Sequence, residues 1–161
     1  MSDRIPMTRA GYDKLRAELD HMQNVQMLEA EERVGRARAE GDLTENAEYD
    51  GARESLEILR ARVNALRDKL ARAVILDPAK AAKKDEVGFG CTVVVKDLDT
   101  GDEEAFTLVG AGEEDYAAGK ILVTSPLAQG LINKKVGDRA EIKVPMGITR
   151  LEIVSIRFGE A

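Results

Sequence analysis

The chain has a single cysteine, Cys91, so neither an internal disulfide nor a cysteine-based zinc site can form within it. Cys91 opens a β-rich run, where burial in a sheet is its expected state. The one histidine, His21, excludes a His-rich metal motif, and with no nucleophile beside it we assign it no catalysis. Tryptophan is absent and only three Tyr and three Phe occur, so the core must be aliphatic. No apolar run reaches membrane-spanning length. The first residues, Met1 to Pro6, lack the basic-then-apolar order of a secretion signal, and a cytoplasmic location is expected. Nor is there a phosphate-cradling glycine-rich loop or a nucleophile elbow, so a self-contained enzyme is not expected. Basic residues are outnumbered: 24 Lys+Arg against 30 Asp+Glu give a net charge of −6. That field repels phosphate, which argues against a general nucleic-acid binder and makes any such contact local.

The 161 residues suffice for one domain or two small ones, and glycine divides them. Of 14 glycines only Gly11, Gly35, Gly41 and Gly51 precede residue 80. The expected fold class is α+β: a helical hairpin over 1–76 with its tip near 41–46, a linker over 77–85 containing Pro78, and a small antiparallel β domain over 86–161. In the second helix Tyr49, Ala52, Leu56, Leu59, Val63, Leu66 and Leu70 recur at spacings of three and four, a coiled-coil seam. The first helix, with Thr8 as N-cap, starts the same way at Tyr12, Leu15, Leu19 and Met22. It then slips, since Gln26 and Glu29 take the next seam positions and the apolar residues resume at Ala30, Val34 and Ala37. With no proline or turn cluster there, a local change of winding or a bend is expected. The reversal falls at Gly41-Asp42, and two long helices joined by so short a turn must be antiparallel.

Beyond residue 86, Cys91 to Lys96 and Ala105 to Val109 read as a hairpin, and Ile121 to Val123 as a short strand. Ser125 caps a helical turn with Pro126 at its first position. Ala140 to Val144 and Ile148 to Phe158 form a second hairpin across Pro145-Met146-Gly147.

Carboxylates gather at the hairpin turn: Glu40, Asp42, Glu45, Glu48 and Asp50. Two explanations stand side by side. Asp42-Leu43-Thr44-Glu45 has the form of a capping box that starts the second helix. Equally, two carboxylates three positions apart on an exposed arm can give oxygen ligands to a Mg²⁺ whose remaining ligands come from a partner. Spacing does not choose between cap and ligand.

The segment Glu40-Gly41-Asp42-Leu43-Thr44-Glu45-Asn46-Ala47-Glu48-Tyr49, followed by Ala52-Arg53-Glu54, resembles the tip signature of the bacterial Gre transcript-cleavage factors. The resemblance continues through Ile5-Pro6-Met7-Thr8, Lys14 to Leu19, Ser125 to Ile132 and Lys135-Val136-Gly137-Asp138, and so covers almost the whole chain in order. It implies a coiled-coil hairpin that enters the secondary channel of RNA polymerase and a C-terminal FKBP-like domain that docks at the channel rim. Asp42 and Glu45 would then help hold a second Mg²⁺ shared with the polymerase active site, so that polymerase cuts backtracked RNA near its 3′ end. No cofactor is implied for the chain alone. Tyr49 would stand beside Asp42 and Glu45, shaping the tip or contacting the transcript, while Thr124, Ser125 and Pro126 would belong to the docking loop; Arg38 and Arg53, with Arg33 and Arg36, are read from the sequence as a modest patch facing RNA. The implied partners are RNA polymerase and the nascent RNA 3′ end, with no membrane, and the expected state is a monomer. Thr44 departs from the basic residue common between the two carboxylates, as Gln129 does from an arginine common in the docking segment.

Three other functions share parts of this pattern. A channel-entering inhibitor would use the same arm to block the polymerase. An assembly module would pair its leucine seam with another coiled coil and need the tip carboxylates only as caps. Prolyl isomerase activity fits poorly, because few aromatics are present to line a proline pocket.

Overall fold

The computed structural model describes residues 4–40, 46–81 and 85–158. It falls into two compact units, one of Asp13–Arg72 and one of Met1–Tyr12 with Ala73–Ala161.

The helical unit is built on α1 (Arg9–His21), α2 (Met27–Glu40) and α3 (Ala47–Ala71). Thr8 caps α1 as its sequence position suggests, its hydroxyl accepting from the Gly11 N–H at 3.0 Å. Between α1 and α2 the chain stays helical but winds as a π-helix over Met22–Gln26, with the Met27 N–H donating to the Met22 carbonyl five residues back. This resolves the slip in the seam. A π turn accommodates one extra residue, so each later seam position moves on by one: 26 becomes Met27, 29 becomes Ala30, 33 becomes Val34 and 36 becomes Ala37. Val34 and Ala37 are buried accordingly. With Ala52 and Leu56 of α3, Val34 forms a small core against which Met27, Ala30 and Tyr49 pack. The partners run in opposite chain order, so α2 and α3 are antiparallel. Along α3 the expected seam is seen, with Ala52, Leu56, Val63 and Leu70 buried. Leu59 and Leu66 are only half-buried, because one facing helix cannot cover the whole apolar stripe.

Deletion of Asn24, which takes out the extra residue, should therefore leave an uninterrupted α-helix with both flanking seams in place. Its thermal melt, followed by circular dichroism, should change by about 1 kcal/mol or less. Deletion of Arg33 instead turns the chain by about 100° beyond that point and carries Val34 and Ala37 off the seam, at a cost of roughly 2 kcal/mol or more.

The second unit differs from the expected boundaries of 1–76, 77–85 and 86–161. Residues Ile5–Met7 form β1, which pairs in parallel with β2 (Ala73–Ile75), a two-strand sheet that periodicity did not suggest. This pair belongs with the C-terminal chain because Met7 is fully buried and the Ala111 N–H donates to the Pro6 carbonyl at 3.2 Å. The expected linker includes helical structure. Pro78–Ala81 forms one helical turn, α4, and a Cβ on Gly90, which has φ +85°, would lie 2.4 Å from the Pro78 side chain.

The main sheet contains β3 (Thr92–Asp97), β4 (Glu103–Val109), β5 (Lys120–Leu122), β6 (Arg139–Val144) and β7 (Gly147–Arg157), in the order β5-β4-β3-β7-β6. All pairs are antiparallel except β4 with β5, which is parallel and so departs from the expected antiparallel sheet. In β7 the core-facing positions go from the buried Leu151 and Ile153 to the half-buried Ile156, a change of parity. Val94 pairs with Ser155 and Val95 with Ile153, leaving Val154 as the extra residue of a β-bulge. One face of the sheet carries the core, including Val93, Val95, Leu108, Ile142, Leu151 and Ile153, and is partly covered by α5 (Pro126–Leu131). Cys91 is buried in this core, and burial pushes its thiol pKa up, as expected of an inert cysteine.

Candidate functional site

Two regions carry the residues singled out in the sequence. At the end of the helical unit, α2 stops at Glu40 and α3 begins at Ala47. Asp42 and Glu45 lie outside the described residues. Their described neighbours nevertheless bear on what they do. The N-cap of α3 is Asn46, whose side-chain oxygen accepts from the Tyr49 N–H at 3.0 Å, with Glu48 and Asp50 in the first turn complementing the helix dipole. The capping box read at Asp42 to Glu45 lies outside the described residues, and the described start of α3 takes its cap from Asn46. Asn is as good an N-cap as Asp.

Arg38, Tyr49 and Arg53, picked out from three separate positions, come together. The Arg38 guanidinium stands 5.6 Å from the Tyr49 ring centroid and donates to its hydroxyl at 3.3 Å. Arg53 is one turn along α3 from Tyr49. Hydrogen bonds from Arg38 and then Arg53 lower the Tyr49 pKa from the usual 10.0, since both guanidiniums stabilise the phenolate. Substituting Arg38 by Ala should therefore move Tyr49 ionisation back up toward the ordinary tyrosine value, as read by an absorbance titration of the phenolate. Among the described residues no cluster of three or more His, Cys, Asp or Glu is placed to hold a metal.

The second region is the corner between β5 and α5. Ser125 caps α5, its Oγ accepting from the Ala128 N–H at 3.3 Å, and Pro126 takes the first helical position where a missing N–H costs nothing. Thr124 and Pro126 are exposed there, whereas Ser125 is half-buried. Gln129 closes the corner by donating from Nε2 to the Val123 carbonyl at 2.8 Å. The helix lies close on the sheet at Gly130, where a Cβ would come within 2.9 Å of Ile142. With only six residues, α5 leaves part of the sheet face open. A cavity of about 320 Å³ results, with Val95, Phe106, Leu127, Ile142 and Leu151 among its apolar lining and Asp97, Asp102 and Glu104 at its polar side. Phe106 is its only aromatic, so the cavity does not resemble an aromatic-lined proline pocket. His21 is exposed at the end of α1, and no helix among the described residues is long and apolar enough to cross a membrane.

Comparison with known proteins addresses the whole chain. Residues 5–75 match the family model described as "Transcription elongation factor, N-terminal", and residues 82–158 match "Transcription elongation factor, GreA/GreB, C-term". The chain is 46% identical over 158 residues to transcription elongation factor GreA of Thermodesulfovibrio yellowstonii, covering 98% of this chain and 99% of that one. Against GreA of Hyphomonas neptunium it is 42% identical over 156 residues, with 97% and 99% covered. Among solved structures, GreA factor homolog 1 (Gfh1) of Thermus thermophilus is 25% identical, with 96% of this chain and 99% of that one covered and a TM-score of 0.46. Both halves of the chain thus carry the same assignment, and the chain belongs to the GreA/GreB family of transcription elongation factors.

Proposed function

We propose that this chain binds bacterial RNA polymerase, places its hairpin end in the secondary channel, and stimulates the polymerase's own cleavage of backtracked RNA. It works in the cytoplasm as a monomer, and the polymerase breaks the bond. The observation that carries this most is the N-cap of α3: with Asn46 in that role, the charges of Asp42 and Glu45 are not needed to start the helix. The donor chemistry suits a hard cation, since two carboxylates without cysteine or histidine beside them match the oxygen preference of Mg²⁺, which keeps several waters. Asp42 and Glu45 would hold the ion jointly with the polymerase. Bound there, the ion would supply an activated water as nucleophile for phosphodiester cleavage.

The remaining residues act by binding. Arg38 and Arg53 set positive charge beside the flat ring of Tyr49, a combination suited to the phosphate and base of an RNA 3′ end. Because these charges are few, they hold RNA only where the polymerase already encloses it, which accommodates the net charge of −6. Thr124, Ser125 and Pro126 contact the channel rim from a corner that Gln129 and the Ser125 cap keep fixed. Cleavage and single-nucleotide addition measured on the same stalled complexes test the proposal. Accelerated cleavage supports it, whereas slowed addition without cleavage would assign the chain to channel-entering inhibitors instead.

A further inference from the structure

Every helix end leaves backbone groups without intrahelical partners: carbonyls at the C-terminus and N–H groups at the N-terminus. At the end of this hairpin one side chain serves both. Asn46 accepts from the Tyr49 N–H through Oδ1 and donates from Nδ2 to the Ala37 carbonyl in the last turn of α2 at 2.7 Å. The amide of Asn46 is half-buried and Ala37 is 4% exposed, so water competes weakly for the second bond. Asp could cap α3 equally well, but its carboxylate at neutral pH has no hydrogen to donate to the Ala37 carbonyl, whereas the amide of Asn46 accepts at one end and donates at the other. The Arg38 to Tyr49 contact lies directly beside this bond, on the same two helices.

We infer that Asn46 is a positioning residue: it ties the end of α2 to the start of α3, fixing both ends of the eight-residue segment 38–45 that carries Asp42 and Glu45. It touches neither metal nor RNA and acts through the placement of those carboxylates, so its functional part rests on the tip role proposed above. Misplacement of catalytic groups by about 1 Å can cost up to roughly 100-fold in rate.

Substituting Asn46 by Asp separates the two bonds. The carboxylate keeps the N-cap and favours the helix N-terminus, but it cannot donate to the Ala37 carbonyl and sets a negative charge against it. In the free protein, NMR of the wild type should show one Asn46 Nδ2 proton protected from exchange and a coupling across the hydrogen bond to the Ala37 carbonyl carbon. The N46D variant should keep the protection of the Tyr49 amide. In cleavage assays on backtracked complexes its rate at saturation should fall about tenfold or more. The concentration giving half the effect should stay within about twofold of wild type, and added Mg²⁺ should restore part of the rate. N46A, which loses both bonds, should also lose the Tyr49 protection.

Free exchange of both Nδ2 protons in the wild type overturns the inference, as does a protected amide with N46D cleavage at the wild-type rate. If the wild type stimulates no cleavage at all, the tip role fails separately, and amide protection alone then decides whether Asn46 joins the helices.

Discussion

Replacing Asp42 by Asn or Glu45 by Gln should lower stimulated transcript cleavage by at least about 100-fold, with either single change nearly as damaging as both together. Each substitution keeps the size of the side chain and removes its charge. A Mg²⁺ that holds only one or two protein carboxylates has no spare ligand from this chain, so loss of one leaves the ion poorly placed. Even changes in groups that merely orient metal ligands commonly cost 10–100-fold, and direct ligands cost more. The folded unit should be little affected, because α3 is capped by Asn46. Thermal melts of both variants should therefore superimpose on the wild type, and each should compete with wild type for polymerase. Wild-type cleavage by the D42N/E45Q double variant would return the two carboxylates to the role of simple solvated charges.

The largest expected effect on folding comes from the other unit. Leu131, at the end of α5, is fully buried, as is Ala128 one turn before it. Leu131→Ala opens a cavity beneath the helix and should destabilise the unit by about 2–5 kcal/mol. For a cooperative unit of roughly 100 residues each kcal/mol corresponds to about 4–8 °C in Tm, so the shift should be on the order of 10 °C or more. The functional signature should be opposite to that of the tip variants. The proposed docking corner at Thr124 to Pro126 is held by the start of α5, so the concentration of factor needed for half-maximal cleavage should rise. The rate at saturation, set by the carboxylates of the helical unit, should hold below the melting temperature. A Tm unchanged by Leu131→Ala would mean that α5 is not seated as its burial indicates.

Much of this architecture was legible because apolar spacing reports helical winding directly. The seam of α3 needed only counting, and the frame slip in the first helix located a change of winding before its type was known. A one-residue offset between Met22 and Ala30 is what a π turn produces, so the sequence contained the explanation as well as the symptom. The short pair of β1 and β2 was not legible. Three residues each, without alternation long enough to read, are held by contacts to Gly110 and Ala111 far along the chain. The parallel pairing of β5 was hidden for a similar reason, since a strand's partner and direction depend on the path of the intervening loop. At the tip, capping propensity did not distinguish Asp42 from Asn46, because the two residue types cap equally well. What separates them is the second bond of Asn46 to Ala37, a tertiary contact that no local pattern encodes.

The central claim is that this chain makes RNA polymerase cut its own backtracked transcript. The most direct measurement follows release of the 3′ fragment from one defined backtracked complex, in single turnover with Mg²⁺ fixed, with and without the full-length protein. The account predicts that the protein at saturation accelerates fragment release by at least about 100-fold over the polymerase alone. An unchanged rate, under conditions where the protein demonstrably occupies the polymerase, would contradict it.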